Sequence, residues 1–409
     1  MKFDRLFPLA DQITTSGGNF LVIALCAHAL PMEEQGKVGI LFSAYIATIL
    51  IGAVSMYQYA NIHAPRVANH DCRKYYAFLL LVCLLVVFIV SIILALSIPY
   101  LADYVSWRVA AGELEYFIAY LALQQFVDFY RRTAYIFKTA GWALFGSSIT
   151  YIPRIGILAA SQLNTFFDVL YIMILTSIPG FVFYLVDLYR DKDNLLKGWQ
   201  KHARTHFREI RWLVVAAPFT WLWAYIPVFV LGNTMGLAVV GAFVSVRSIS
   251  NVGNTLMEIL ETSIAARAGV HQASNSPSLL KNYMRLIFTS GIIAWLAGLL
   301  FLFIVGKLII LITIGSQYEV YGGLLILLWG VVGLTFVFRV NGLILRTEGR
   351  AKVVAMGYVV ATIIVIIATP HLVGLYGVYG AAISLALGAF SNIVSQAFFA
   401  KSYFLRLRT

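Results

Sequence analysis

Twelve long, mostly apolar stretches follow one another along the 409-residue chain, each long enough to cross a bilayer as a helix. A hydrocarbon core of ~30 Å takes about 20 helical residues per crossing. The expected spans are 7–30, 37–60, 75–99, 115–138, 142–160, 166–188, 212–231, 236–260, 283–311, 320–345, 353–370 and 377–400. Composition agrees: 61% of residues are apolar and only 12% charged, against roughly a quarter charged in soluble domains. No water-soluble chain of this length could cover so much apolar surface with so few charges. The fold class expected is an all-α integral membrane protein. Its weakest span by hydropathy is the fourth, because Gln124, Gln125, Asp128, Arg131 and Arg132 lie inside it.

The net charge of +12 does not point to nucleic acid, because the basic residues sit in short loops between apolar runs. Lys2 and Arg5 precede the first span, Arg66, Arg73 and Lys74 follow the second, and Arg190 through Arg211 follow the sixth. Lys281 and Arg285 precede the ninth, Arg346, Arg350 and Lys352 follow the tenth, and Lys401, Arg406 and Arg408 close the chain. The alternate loops are nearly bare of basic charge, so the positive-inside rule puts both termini in the cytoplasm. The polar stretch around 189–211 reads in two ways. It is either a solvated linker or an interfacial helix with Leu195, Leu196, Trp199 and Phe207 toward lipid. The domain reading is a six-span lobe over 1–190, a basic linker over 191–211 and a second lobe over 212–409. Cys26, Cys72 and Cys83 give neither metal spacing nor a disulfide framework. Asp11 and Gln12 interrupt the first apolar run, which argues against a cleavable signal.

The two halves echo one another. Arg131 is followed seven residues on by Lys138-Thr139-Ala140-Gly141, and Arg339 seven residues on by Arg346-Thr347-Glu348-Gly349. Val38-Gly39 and Val240-Gly241 each open the second span of a half. Six spans per half make the repeats parallel, an architecture of transporters with a substrate path between lobes.

Charges inside the membrane carry the chemistry. Arg247, Asn251, Asn254 and Glu258 recur at i, i+4, i+7 and i+11, one face of a helix. Arg247 stands about eleven residues from either end of its span, roughly 16 Å deep, beyond snorkelling reach. A guanidinium there needs water, a counter-ion or an anionic ligand. The readings are a cation facing a lumen or a buried structural pair. Span four places Gln124, Asp128, Arg131 and Tyr135 on one face, with Asp128 and Arg132 at ion-pairing spacing. Arg154 and Arg339 lie nearer span ends, where snorkelling competes with a lumen role. Span one opens with Asp11, Gln12, Thr14, Thr15, Ser16, Gly17, Gly18 and Asn19, a composition that weakens regular helix. Asp11 is either an ion site or a carboxylate favoured by the helix N-terminus. No Walker loop, kinase set, zinc spacing or nucleophile elbow appears, so neither enzymatic activity nor a cofactor or metal is expected.

The opening Asp11-Gln12…Ser16-Gly17-Gly18-Asn19-Phe20-Leu21, the loop Glu33-Glu34-Gln35-Gly36, and Gly241-Ala242-Phe243-Val244-Ser245-Val246-Arg247-Ser248-Ile249 with Glu258 resemble the polysaccharide transporter family. The late Gly377-Val378-Tyr379-Gly380-Ala381-Ala382 does too. That family belongs to the multidrug, oligosaccharidyl-lipid and polysaccharide exporter superfamily, and its O-antigen flippases are the best fit. The resemblance implies about twelve helices in two parallel six-helix lobes around a central cavity. It also implies movement of an undecaprenyl-diphosphate-linked oligosaccharide across the bacterial inner membrane. Polysaccharide polymerase and chain-length regulator would be partners beside membrane lipids. Under it, Arg247, Arg339, Arg131, Arg154, Asn251 and Asn254 would form a cationic lumen, since Arg offers paired donors to phosphate. Asp11, Glu258 and Asp128 would be candidates for carrying a coupled ion. The alternatives are a drug or cation antiporter of the same superfamily and a non-transporting membrane component of a polysaccharide assembly complex.

Overall fold

The computed structural model describes residues 6–57, 59–60, 64, 69–105, 107, 113–192, 199–273, 277–347 and 350–406. Among these residues every regular element is helical. The first expected span is α1 (Leu6–Gln12), a π-helical turn (Ile13–Gly17) and α2 (Gly18–Ala29). The sequence explains the interruption. Thr14 and Thr15 donate their hydroxyls to the carbonyls of Ala10 and Asp11, each at 2.9 Å, a back-bonding that loosens a helix. The second span, α3 (Met32–Gly52), also ends in a π-helical turn (Ala53–Tyr57), where the Ser55 hydroxyl donates to the Ile51 carbonyl at 2.6 Å. Next come α4 (Asn69–Tyr104), α5 (Glu113–Phe137), α6 (Ala140–Ala160) and α7 (Phe166–Arg190). After them run α8 (Trp199–Met235), α9 (Leu237–Ala273) and α10 (Pro277–Thr313). A 3-10 turn (Ser316–Tyr321) leads into α11 (Gly322–Thr347), α12 (Ala351–Tyr376) and α13 (Val378–Arg406).

Among the described residues, nine segments are long and apolar enough to cross a membrane by hydropathy alone. The expected first, fourth and eighth spans fall short of that measure, yet all three are helical. Each of the three carries charged residues that lower its hydropathy, whereas Arg154 and Arg339 lie in spans that meet the measure. Several expected boundaries shift, with the third, eighth and ninth spans extended in Asn69–Tyr104, Leu237–Ala273 and Pro277–Thr313. Span eleven was expected to stop at 370, but α12 continues through Pro370 to Tyr376. A proline inside a membrane helix is tolerated where neighbours satisfy the freed carbonyl, and the helix ends instead at Gly377, whose φ of +57° favours glycine. The basic stretch expected as a linker is, from Trp199 on, the start of α8. Leu195 and Leu196 lie outside the described residues.

The chain divides into two compact units, Met1–Trp221 and Leu222–Thr409. In the first, α5 is the central helix, packed by α3, α4, α6 and α7. The least apolar span is thus well enclosed, which is possible because its polar groups find partners inside the unit. Gly180 of α7 sits close against the backbone of α5. A Cβ there would meet Val127 Cγ2 at 2.3 Å and its Cα at 3.0 Å. Gly180→Leu should therefore abolish monodisperse protein on size-exclusion chromatography. Gly156→Leu, at a position with nothing within 4 Å, should leave the profile unchanged. Beyond the end of α5, Lys138 donates to Asp187 at 2.7 Å, and the Tyr76 hydroxyl donates to the same oxygen at 2.6 Å, which ties α4 and α7 together.

In the second unit α11 packs against α9, α10 and α13, and α12 against α13. A reciprocal pair locks α10 to α11. The Trp295 indole donates to the Trp329 carbonyl at 2.9 Å, and the Trp329 indole to the Trp295 carbonyl at 3.0 Å. Each ring lies over a glycine of the opposite helix, Trp329 over Gly298 and Trp295 over Gly333. The two helices come close because those positions lack a side chain.

Candidate functional site

The first unit holds an alternating chain of buried charges. Asp11, at the end of α1, is 1% exposed. Three side chains donate to its carboxylate: Arg131 Nη1 at 3.0 Å and Tyr135 at 2.7 Å from α5, and Ser147 at 2.5 Å from α6. Arg131 Nη1 also donates to Thr15 Oγ1 at 3.2 Å, inside the π-helical turn, and Nη2 lies 3.5 Å from Asp128. Arg132 Nε donates to the other oxygen of Asp128 at 2.8 Å, and its guanidinium sits 5.4 Å from the Tyr57 ring centroid. Two carboxylates and two guanidiniums balance, which removes the penalty of an isolated buried charge. The π-helical turn matters to this arrangement because it carries Thr15 beside Arg131.

Arg154 is different. It is fully buried, and among the described residues its hydrogen-bond partners are neutral. Nε donates to Thr176 at 3.0 Å, and Nη2 to Gln124 at 2.9 Å and Ser177 at 2.8 Å. The Tyr151 and Tyr120 ring centroids lie 5.1 and 5.8 Å from its guanidinium carbon. No carboxylate pairs with it among the described residues. Its position near the outer end of α6 suggested snorkelling, but the side chain turns inward, to acceptors on α5 and α7.

In the second unit Arg247 of α9 crosses to α8. Its Nη1 donates to the Ala224 carbonyl at 2.8 Å, beside the turn that Pro227 loosens. The guanidinium lies 4.9 Å from the Tyr225 ring centroid and 6.0 Å from that of Phe243. Such faces hold a cation by its attraction to the ring quadrupole. Among the described residues no carboxylate pairs with it. One turn on, Asn254 donates to the Asn251 Oδ1 at 3.1 Å, while its own buried Oδ1 accepts nothing. Arg339 stands half-buried on α11. The Glu258 side chain lies outside the described residues.

The structure therefore brings Asp11, Arg131 and Asp128 together in one unit, and leaves Arg154 as a separate, enclosed centre in the same unit. Arg247, Asn251, Asn254 and Arg339 belong to the other. Sequence reasoning missed Ser147, Thr176 and Ser177 as partners of these charges. Their only signal was a hydroxyl inside an otherwise apolar span.

No family model and no curated protein matches the chain. Solved structures do. An inward-facing multidrug resistance MATE family transporter of the MOP superfamily superposes with a TM-score of 0.77 at 15% identity, over 97% of this chain and 96% of that one. The fold is that of the MATE and MurJ transporters. The lipid II flippase MurJ in an inward closed conformation matches with a TM-score of 0.70 at 12% identity, over 97% and 87%. A MOP superfamily transporter from Pyrococcus furiosus, described by a reversed polarity of its binding pocket, matches at 0.59 and 14% identity, over 100% and 94%. With this fold the chain is a multi-pass, all-α membrane protein.

Proposed function

We propose that this protein is a flippase for an undecaprenyl-diphosphate-linked oligosaccharide, moving it from the cytoplasmic to the periplasmic leaflet of a bacterial inner membrane by alternating access. The supporting observation is Arg247. It is a guanidinium deep in a membrane helix, held by one carbonyl and two rings and paired with no carboxylate among the described residues. That leaves donors for a phosphate oxygen, with Asn251, Asn254 and Arg339 as further polar contacts in the same unit. Arg131 and Arg154 are second-rank candidates, because their own unit already supplies acceptors. Among the solved structures of this fold, MurJ is named for flipping a lipid-linked substrate. A drug or cation antiporter is the other reading, and Asp11 is the observation on its side. Arg131 already neutralises that carboxylate, and Arg247 would repel a cationic substrate. Asp11, Asp128 and Glu258 remain the candidates for carrying a coupled proton or sodium ion.

The deciding experiment is a leaflet-resolved assay of lipid-linked sugar in cells lacking the protein. Accumulation in the cytoplasmic leaflet is expected, and a normal distribution between leaflets would refute the proposal. Orientation has its own test. Cysteines placed in the 190–211 and 267–281 stretches should be shielded from a membrane-impermeant thiol reagent in intact cells, and ready labelling of either would invert the topology.

A further inference from the structure

The basic arm of α8 presents two faces. Residues 199–213 extend the membrane-crossing segment Val214–Met235 by about four turns. On one face His202, His206 and Ile210 are buried in the first unit. His206 is fully enclosed, and both ring nitrogens are engaged. Nε2 donates to the Ser55 carbonyl at 2.7 Å, inside the second π-helical turn, and the Tyr75 hydroxyl meets Nδ1 at 2.9 Å. Tyr59, Phe78 and Phe207 rings surround it. These contacts fix the rotation of the arm about its axis.

Fixing the rotation decides what the other face shows. Arg204, Phe207, Arg208 and Arg211 are all exposed, Phe207 to 45%. At 100° per residue they fall within an arc of about 100°, centred about 150° from the buried one. The same stripe runs on into the membrane as Val214 and Val215, both exposed. The basic face is thus continuous with an exposed apolar face of the span. Along the axis Arg208 lies about 4.5 Å and Arg204 about 10.5 Å beyond Arg211, a rise that carries the series through the headgroup layer.

We propose that this stripe is a binding site for the phosphate headgroups of anionic bilayer lipids, with Phe207 seated at the acyl boundary. The site faces the lipid around the protein and is independent of what the protein transports. Exposed aromatic and basic residues at an interface are the chemistry such headgroups recognise.

The test uses the full chain in nanodiscs that mix phosphatidylcholine with phosphatidylglycerol, followed by mass spectrometry of the lipids retained after detergent extraction. Wild type should retain phosphatidylglycerol in excess over its share of the mixture. Each arginine removed as Arg204→Gln, Arg208→Gln or Arg211→Gln should reduce that excess by about fivefold, and Arg→Lys at all three should preserve most of it. His206→Phe, which frees the rotation but keeps the charges, should lower it in part. Equal enrichment in wild type and the triple Gln variant would overturn the proposal. So would a thermal stabilisation by phosphatidylglycerol that inorganic phosphate reproduces at millimolar concentration, since the anion would then be a soluble one. The triple variant's melting curve in pure phosphatidylcholine should match wild type, which separates loss of lipid from loss of fold.

Discussion

Arg247→Ala should abolish surface polysaccharide while the protein remains at normal level in the membrane. The side chain's one hydrogen bond in the structure goes to a backbone carbonyl, Ala224 O at 2.8 Å. Losing it costs the fold little, since the Ala224 carbonyl belongs to a helix and the half-buried guanidinium leaves no paired carboxylate stranded among the described residues. Losing the cation from the transport path removes the donor pair for a diphosphate, where charge-assisted bonds are roughly twice as strong as neutral ones. Arg247→Lys should keep part of the activity, because charge remains while the bidentate fork is lost. Leaflet-resolved sugar measurement, beside quantitative immunoblotting, reads both quantities. Full activity in the alanine variant would place Arg247 outside the path, and the cationic-lumen reading would lose its main support.

How much of this was visible in the sequence depends on the range of the interaction. Local patterns were legible. The i, i+4 pairing of Asp128 with Arg132 appears at 2.8 Å, and the run from Asp11 to Gly18 does break regular helix. The break takes the form of a π-helical turn with Gly18 seated against Tyr151, a geometry that no residue spacing announces. Pairings across the chain were not legible. Asp11 meets Arg131 over 120 residues and Ser147 over 136, and each of these residues taken alone has an equally good local explanation. Arg154 shows the same limit: its distance from a span end left snorkelling and a lumen role open, and only the structure shows that acceptors on α5 and α7 draw it inward. The second π-helical turn, at Ala53–Tyr57, was hidden in a run that reads as plain apolar helix. The buried role of His206 was hidden because the segment around 189–211 reads equally as a solvated linker or an interfacial helix, and neither reading buries a histidine.

The charge chain in the first unit gives the other large effect. Asp11→Asn should destabilise the protein by about 3–5 kcal/mol, the usual range for removing one partner of a buried ion pair. An amide can still accept from Tyr135 or Ser147, but it cannot neutralise Arg131, and Asp128 must then serve two guanidiniums, one of them 3.5 Å away. Arg131→Gln should be harmful for the mirror reason, leaving Asp11 with hydroxyl donors alone. Because each single variant strands a charge that the other would have balanced, the double variant Asp11→Asn/Arg131→Gln should be more stable than either single one. A double-mutant cycle on melting temperature in detergent measures this coupling directly. Additive losses would mean that the two side chains act independently, and the clamp described here would have to be abandoned. The same variants separate structure from ion coupling. In proteoliposomes under an imposed pH or sodium gradient, the neutral double variant restores charge balance without restoring a titratable carboxylate. If it regains stability yet ignores a gradient that drives wild type, Asp11 carries the coupled ion. If wild type itself ignores both gradients, the pair serves only to hold α1 against α5, and net movement would be drawn by consumption of the flipped product.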